Sequence, residues 1–298
     1  MPEIVVFGSI NADLVFRMQR TPVPGQTLLA DTLTTQPGGK GANQAVAARR
    51  DGATVQMVGA VGDDALALLA LQGLRDAGVN LDAVRHLPGI PTGCASICTD
   101  RDGRNQIAVA LGANRHVTAD QVTAPMLGPH TTVLLQMEGD PAEIAAVVRR
   151  ARAAASRIIL NLAPAVPIEP EILRMLDILV VNEDEAATLA DATACGPEAA
   201  SLHKALGVGV IRTLGAAGAE AATRQGTSRV QAPPVAAVDT TAAGDCFVGV
   251  LAAALSRGLT LDDAICRACF AASLACTVVG SQRSLPRAAD IDAMLEPT

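Results

Sequence analysis

The 298 residues are half hydrophobic and carry a formal net charge of −7, which supplies a sizeable core and argues against nucleic acid or an anionic membrane surface as the main partner. No basic run contradicts this, no charged-then-apolar segment opens the chain, and no uninterrupted apolar stretch approaches ~20 residues, so the expectation is a cytoplasmic protein without a membrane partner. With four Phe and no Tyr or Trp, the core falls to Ala, Val, Leu and Ile, and a ligand ring finds few aromatic faces to stack on.

The chain opens with Glu3-Ile4-Val5-Val6-Phe7, an apolar run of buried-strand type that ends at Gly8. Gly8-Ser9-Ile10-Asn11-Ala12-Asp13 follows, but it lacks the second and third glycines of a dinucleotide fingerprint and runs on into the strand-like Leu14-Val15-Phe16. Asn11 and Asp13, two positions apart, point to one face of a strand and can reach the same hydroxylated ligand; a polar turn is the plainer alternative. Residues 14–36, with Pro22, Pro24 and Gly25 in the middle, read as a hairpin-like excursion. It ends in Gln36-Pro37-Gly38-Gly39-Lys40-Gly41-Ala42-Asn43-Gln44, a glycine turn running into an Ala-rich helix. Gly41 stands where a P-loop needs Ser or Thr, so this is no Walker A motif. The glycines let backbone approach a ligand, and Gly39, Lys40 and Asn43 fall near the helix start with donors for hydroxyl or phosphate oxygens.

From Thr54 onward short apolar runs alternate with helical ones. The strand candidates are 55–58, 133–136, 158–162, 178–181 and 208–213; the helical period appears around 64–77, 141–155, 169–176 and 183–190. This alternation predicts an α/β fold, a mainly parallel sheet sandwiched by helices. Residues 92–111 break the rhythm as a second hairpin around Asp100-Arg101-Asp102-Gly103. With the first excursion they predict a small sheet acting as a lid, built from about 12–36 and 92–111 on a single domain spanning 1–298. Its exposed faces and edges point to pairing with the lid of a second copy.

Several polar residues lie just beyond strand candidates, where ligands bind in open α/β sheets. Glu138 follows Leu134-Leu135-Gln136-Met137, and Asn182-Glu183-Asp184-Glu185 follows 178–181, dense in oxygen ligands suited to Mg²⁺ and its waters. A solvated helix start is the alternative for the acidic trio. Thr213-Leu214-Gly215-Ala216-Ala217-Gly218 supplies another glycine turn able to cradle phosphate or a nucleotide sugar. Seven irregularly spaced cysteines are no disulfide framework, and Cys266 with Cys269 sits inside a helical pattern, 261–279, as small buried residues rather than a metal pair.

Asp239-Thr240-Thr241-Ala242-Ala243-Gly244-Asp245 places two carboxylates around small residues, directly before the apolar helical run 243–255. Gly244 and Asp245 therefore fall in a first helical turn, where free N–H groups and the helix dipole suit a transferring phosphate and Asp245 can take a hydroxyl proton. An ordinary N-cap aspartate is the alternative.

In this order the six pieces resemble the ribokinase branch of the PfkB-type carbohydrate kinases over nearly the whole length. The resemblance implies an ATP-dependent kinase acting on a primary sugar hydroxyl, with D-ribose as the leading substrate, another sugar or a nucleoside as the alternative, and a catalytically silent sugar-binding regulator as a third reading. It implies Asp245 as base, with the amides of Ala242, Ala243 and Gly244 holding the γ-phosphate. The sugar falls to Asn11, Asp13, Gly39, Lys40, Asn43 and Glu138, and ATP to Asn182, Thr213, Gly215, Gly218 and Gly244. Glu185 holds Mg²⁺ through water. A K⁺ site is implied at Asp239 and Thr241 with backbone around Ala275, Val278, Gly280 and Ser284, where a cation would neutralise the Asp239 charge. Three departures stand out: Cys269 where relatives carry Asn or His near the adenine, Cys246 after the catalytic Asp where Thr is common, and Val278-Val279 in place of a more polar pair. A homodimer through the lid is the expected assembly.

Overall fold

The computed structural model describes residues 2–101 and 104–296. The first strand, β1 (Ile4–Phe7), leads into two strands of a separate small sheet, β2 (Asn11–Arg17) and β3 (Thr32–Gly38), and then into helix α1 (Lys40–Arg50). Strand β4 (Val55–Gly62), helix α2 (Ala65–Ala77) and strand β5 (Asn80–Leu87) follow, before the small sheet is completed by β6 (Gly93–Thr99) and β7 (Asn105–Ala110). Next come β8 (Thr132–Leu135), α3 (Pro141–Ala153), β9 (Arg157–Asn161), α4 (Pro170–Leu173), β10 (Ile178–Val181), α5 (Glu183–Thr193) and α6 (Ala199–Leu206). Strands β11 (Gly209–Thr213), β12 (Ala219–Thr223) and β13 (Gly226–Val230) precede α7 (Ala243–Ser256), α8 (Leu261–Ala275), α9 (Ser281–Ser284) and α10 (Ala288–Leu295).

The large sheet has nine strands in the order β13-β12-β11-β10-β9-β8-β1-β4-β5, parallel except for the β11-β12-β13 end. Its central strands are short apolar runs buried at every position, as a sheet covered on both faces requires. Alternate residues feed two cores. Ile4, Val6, Leu134, Ile159 and Val180 pack with α1, α2, α7 and α8, while Val5, Phe7, Val133, Leu135 and Leu179 pack with α3, α4, α5 and α6. Strand order reverses between β1 and β8, and the crevice beyond the carboxyl ends of those two strands is where Ser9 and Glu138 lie.

The small sheet has the order β3-β2-β6-β7. Both expected hairpins are present as antiparallel pairs, and a parallel β2-β6 contact joins them. Of the expected turn at 100–103, Asp102 and Gly103 lie outside the described residues. The helical stretch expected over 169–176 contracts to Pro170–Leu173, and the one over 261–279 stops at Ala275. There the Cys276 carbonyl accepts from the amides of Val238 and Asp239 at 2.8 and 3.2 Å, so the chain serves the neighbouring loop instead of another helical turn. Strand β5, helix α6 and the β12-β13 hairpin were not anticipated; β5 is an edge strand with mixed exposure and lacks a continuous apolar run. No described helix is long and apolar enough to cross a membrane.

Candidate active site

The site begins with how closely α1 and α7 approach. A Cβ at Gly249 in α7 would collide with the Gln44 carbonyl and the Ala47 side chain, so glycine there lets the two helices meet backbone to backbone. Their N-terminal turns thereby face each other. Asn43 donates from Nδ2 to Asp245 Oδ2 at 2.9 Å, and Gln44 donates from Nε2 to Asp245 Oδ1 at 3.0 Å. Asp245 is buried yet lies beside Gly244, whose Cα faces open space.

The turn entering α7 is built by Ala242, which adopts the left-handed conformation at φ 59° and ψ 11°, uncommon for a residue other than glycine. It closes a turn in which the Ala243 amide donates to the Thr240 carbonyl at 3.2 Å. That amide, expected to face a phosphate, is therefore committed within the protein. The amides of Ala242, Gly244 and Asp245 have no partner among the described residues, and these three form the open helix start.

Opposite this turn, the expected sugar-binding residues converge. Asn11 and Asp13 occupy β2, with Gly38 leaving the space that the Asp13 carboxyl fills. Asn11 Oδ1 accepts from Asn114 Nδ2 at 2.7 Å, and Asn114 also bonds both backbone groups of Ile10. Glu138 Oε2 accepts from Ser9 Oγ at 2.6 Å and from the Lys40 amide at 3.1 Å, which ties the β8 end to the glycine turn. Gly39 supports this turn at φ 89°, and its Cα lies against the backbone of Ser9 and Asn11.

Lys40 is the cation among these carboxylates. The charge of Asp245, reinforced by Glu138, Glu185 and Asp13, holds its amine above the ordinary lysine value against the effect of burial. Burial, with the nearby charges of Glu138 and Asp245, pushes the Asp13 carboxyl up to about 7, partly opposed by Lys40. Asp13 is thus near its midpoint at neutral pH, a proton-holding carboxyl next to two others.

The expected nucleotide residues sit at the ends of β10 and β11. Asn182 Oδ1 accepts from the Glu185 amide and Glu185 Oε2 from the Asn182 amide, both at 2.8 Å, a reciprocal capping box at the start of α5. Burial raises the Glu185 carboxyl above its ordinary value, with Lys40 opposing and Asp245 adding to the rise, so this side chain feels the centre of the site. Thr213 Oγ1 donates to the Val181 carbonyl at 3.4 Å, Gly215 faces open space, and Gly218 adopts φ 91° against the β13 backbone. Cys269 is buried in the core cluster with α7, and burial pushes its thiol up to about 12; Cys246 is buried as well. Neither thiol opens onto the cleft.

The residues expected around a cation divide. Asp239 Oδ1 accepts from the Thr241 amide and Oδ2 from the Gly280 amide, both at 2.9 Å, so this carboxylate joins the 239–241 and 276–280 segments. Burial alone would raise its pKa, but the Thr241 and Gly280 bonds outweigh burial and hold it below the usual carboxylate range. Those amides meet part of the charge balance assigned to a cation. The Ala275 carbonyl accepts from the Val278 amide at 3.3 Å, and Ser284 Oγ donates to the Ser281 carbonyl at 2.8 Å; the carbonyls of Thr241, Val278 and Gly280 accept no backbone bond among the described residues. No three His, Cys, Asp or Glu side chains converge as a metal site among the described residues. A cavity of about 290 Å³ separates the Asp239–Thr241 loop from the inner face of the small sheet at Arg17, Gln36 and Asn105.

Six residues of this centre were not singled out in the sequence: Ser9, Gln44, Asn114, Gln136, Asn161 and Gln282. Gln136 Nε2 donates to Gln44 Oε1 at 2.7 Å, Gln44 Nε2 reaches Asn161 Oδ1 at 3.1 Å, and Gln282 Nε2 reaches Asn43 Oδ1 at 3.1 Å. The available signal was a lone amide inside an apolar run, as in Val133-Leu134-Leu135-Gln136 and Ile158-Ile159-Leu160-Asn161.

The profile of the pfkB family of carbohydrate kinases matches residues 1–288. A ribokinase of Schizosaccharomyces pombe is 36% identical over 309 aligned positions, covering 98% of this chain and 97% of the relative. Among solved structures, a ribokinase of Thermotoga maritima superposes with a TM-score of 0.90 at 32% identity, covering 99% of each chain. An Arabidopsis thaliana ribokinase complexed with ribose and ATP superposes with a TM-score of 0.88 at 31% identity, covering 100% of this chain and 99% of the other.

Proposed function

The chain belongs to the pfkB family of carbohydrate kinases, and on that premise we propose that it transfers the γ-phosphate of ATP to the primary hydroxyl of D-ribose, giving ribose 5-phosphate. The observation that carries this reading is the placement of buried Asp245 at an open helix start, facing the Asn11, Asp13, Lys40 and Glu138 cluster. A phosphotransferase of this kind needs a base, an anion cradle and hydroxyl acceptors within one small volume.

Glu138 and Asp13 accept hydrogen bonds from the sugar hydroxyls, and Asn11, Gly39 and Asn43 complete the polar wall. Asp245 takes the proton of the reacting hydroxyl. A sugar alcohol is a far weaker acid than a carboxyl group, so the proton moves late, once bonding to phosphorus has made the hydroxyl acidic. The amides of Ala242, Gly244 and Asp245, with the helix dipole behind them, take up charge on the transferring phosphate. Asn182, Thr213, Gly215 and Gly218 line the nucleotide. Glu185 is the residue that would hold Mg²⁺ through water, and the ion would neutralise charge on the phosphates. Potassium fits beside Asp239 and the open carbonyls of Thr241, Val278 and Gly280, where it would steady the 242–245 turn.

The small sheet serves as a lid on a single domain, closing the gap over Asp239–Thr241 and excluding water. On that sheet Leu33 and Ile107 are each 55% exposed and Val109 46%, a pattern suited to a second copy covering it in a homodimer. An ADP-release panel across ribose, deoxyribose, fructose, ketodeoxygluconate, adenosine and pseudouridine tests the reading. Ribose is expected to give the highest kcat/KM; a nucleoside ahead of every free sugar overturns the substrate.

A further inference from the structure

Asp245 carries only acceptors when ionised, so both of its oxygens need donors. Asn43 and Gln44 supply them, and because an amide side chain offers a donor at one end and an acceptor at the other, its direction is held from both ends: the carboxylate draws the NH₂ group, and a donor at the carbonyl end reinforces it. Two outer glutamines supply that second hold. Gln282 Nε2 faces Asn43 Oδ1 at 3.1 Å, and Gln136 Nε2 faces Gln44 Oε1 at 2.7 Å. Asn161 adds to the second arm, because its Nδ2 donates to the Val180 carbonyl at 3.3 Å and its Oδ1 is thereby left for Gln44. With their carbonyl ends occupied, Asn43 and Gln44 must turn their NH₂ groups to the carboxylate.

The consequence of this polarity appears at the far ends of the two relays. Gln136 Oε1 and Gln282 Oε1 are two of the three buried side-chain polar atoms that lack a partner among the described residues. Each oxygen points at a glycine, Gly8 for Gln136 and Gly73 for Gln282, where any Cβ would collide with it. An orphaned buried carbonyl is unfavourable and calls for an explanation. Turning either glutamine over would pair no oxygen and would aim a carbonyl at another carbonyl.

We propose that Gln136 and Gln282 are positioning residues for phosphoryl transfer, which fix the direction of the Gln44 and Asn43 amides so that both oxygens of Asp245 receive N–H donors. The proposal rests on the reading of Asp245 as the base. Neither glutamine needs to touch substrate. Their NH₂ groups act through the inner amides, holding the carboxylate aimed at the reacting hydroxyl.

The test uses the full chain with D-ribose and MgATP, and compares Gln136→Met, Gln282→Met, Gln136→Glu and Gln282→Glu by kcat, both KM values and unfolding midpoint. Methionine removes the donor at similar size, and kcat is expected to fall about tenfold to hundredfold with little change in either KM, because an inner amide that turns over forfeits its own hydrogen bond to the charged Asp245. Glutamate copies the shape and can donate only when protonated. The Glu variants are therefore expected to approach native kcat at the acid end of the stable range and to lose it as pH rises, while the Met variants are depressed throughout. In the Asp245→Asn background the same substitutions should have no further effect on the residual rate, because residues acting through one group are non-additive. Native kcat in folded Met variants, or an equal loss with and without Asp245→Asn, overturns the positioning role. A native protein that turns over ribose normally while these variants do so too separates that failure from failure of the functional reading, which shows instead as no sugar turnover at all.

Discussion

On the proposed sugar side, side chains far apart in the chain are bonded to one another: Asn43 to Asp245 across 202 positions, Ser9 to Glu138 across 129, and Gln136 to Gln44 across 92. On the proposed nucleotide side the bonds are local, Asn182 and Glu185 capping each other three positions apart. The first arrangement exists only when α1, α7 and the ends of β1 and β8 have all docked; the second forms with a single helical turn. Buried polar groups demand partners in fixed directions, so these side chains are locked to one another in the absence of any ligand. The nucleotide side relies on backbone at glycine turns, and Asn182 and Gly215 remain exposed. One half is built from long-range side-chain bonds, and the other from local capping and backbone turns.

The largest test of this contrast removes the group on which the sugar-side bonds converge. Asp245→Asn is expected to lower kcat by roughly 10²–10⁴-fold, the usual contribution of a general base, with little change in ATP binding. Near-native turnover by the folded variant would remove the base assignment. Glu138→Ala comes next. It deletes the acceptor shared by Ser9 Oγ and the Lys40 amide, and should weaken sugar binding by about 1–3 kcal/mol in calorimetry while sparing the nucleotide. Equal losses for sugar and ATP would show that the two halves are not held separately.

A smaller effect follows from Asp13. Its carboxyl titrates near 7 in the folded chain and near 3.8 as a free group, so between those values the fold holds a proton that the unfolded chain has released. This contribution to stability is fully present below the lower value and declines as pH rises through about 7. Thermal unfolding of the sugar-free protein should therefore show Tm falling over that interval. Asp13→Asn should flatten the slope. Glu185, also raised, contributes in the same direction and remains in the variant as an internal control. An unchanged slope would mean that Asp13 is ionised in the folded chain.

The contrast also explains what the sequence disclosed. Strand β10 is legible to the residue, because Ile178–Val181 is a continuous apolar run bounded by polar neighbours. Asp245 and Lys40 stand out because glycine turns followed by apolar helices mark helix starts, whereas the Asn182-Glu185 stretch reads in the sequence as a set of oxygen ligands and its capping box emerges only in the structure. Gln44, Gln136, Asn161 and Gln282 were silent. Gln136 and Asn161 are single amides at the end of apolar runs, Gln44 follows another amide and Gln282 lies in a polar turn, and their partners are defined by strand order and by the α1-α7 approach at Gly249, which no local window contains. The Ala243 amide is a different case. Its neighbour Ala242 takes a left-handed conformation that alanine seldom adopts, so nothing in the residue types foretold that the Ala243 amide would turn inward to Thr240.

The smallest effect should come from the nucleotide side, and it decides whether local construction means structural independence. Asn182→Ala removes the acceptor for the Glu185 amide and frees the Glu185 carboxylate from its reciprocal bond. Loss of an N-cap costs about 0.5–2 kcal/mol, so the unfolding midpoint should fall modestly. Because α5 joins none of the bonds around Asp245, sugar affinity should stay at its native value. The change in ATP affinity carries the information. If Asn182 only caps the helix, KM for ATP follows the small stability loss and is nearly native once the chain is folded; if its side chain also lines the nucleotide, KM for ATP rises several-fold while kcat at saturating ATP holds. Glu185→Gln separates the two carboxylate roles, since glutamine can still cap but carries no charge for a water-bound Mg²⁺. A Glu185→Gln variant with native dependence on Mg²⁺ would leave Glu185 as a capping residue alone, and the nucleotide half would then owe its affinity to the glycine turns and the open amides at the start of α7.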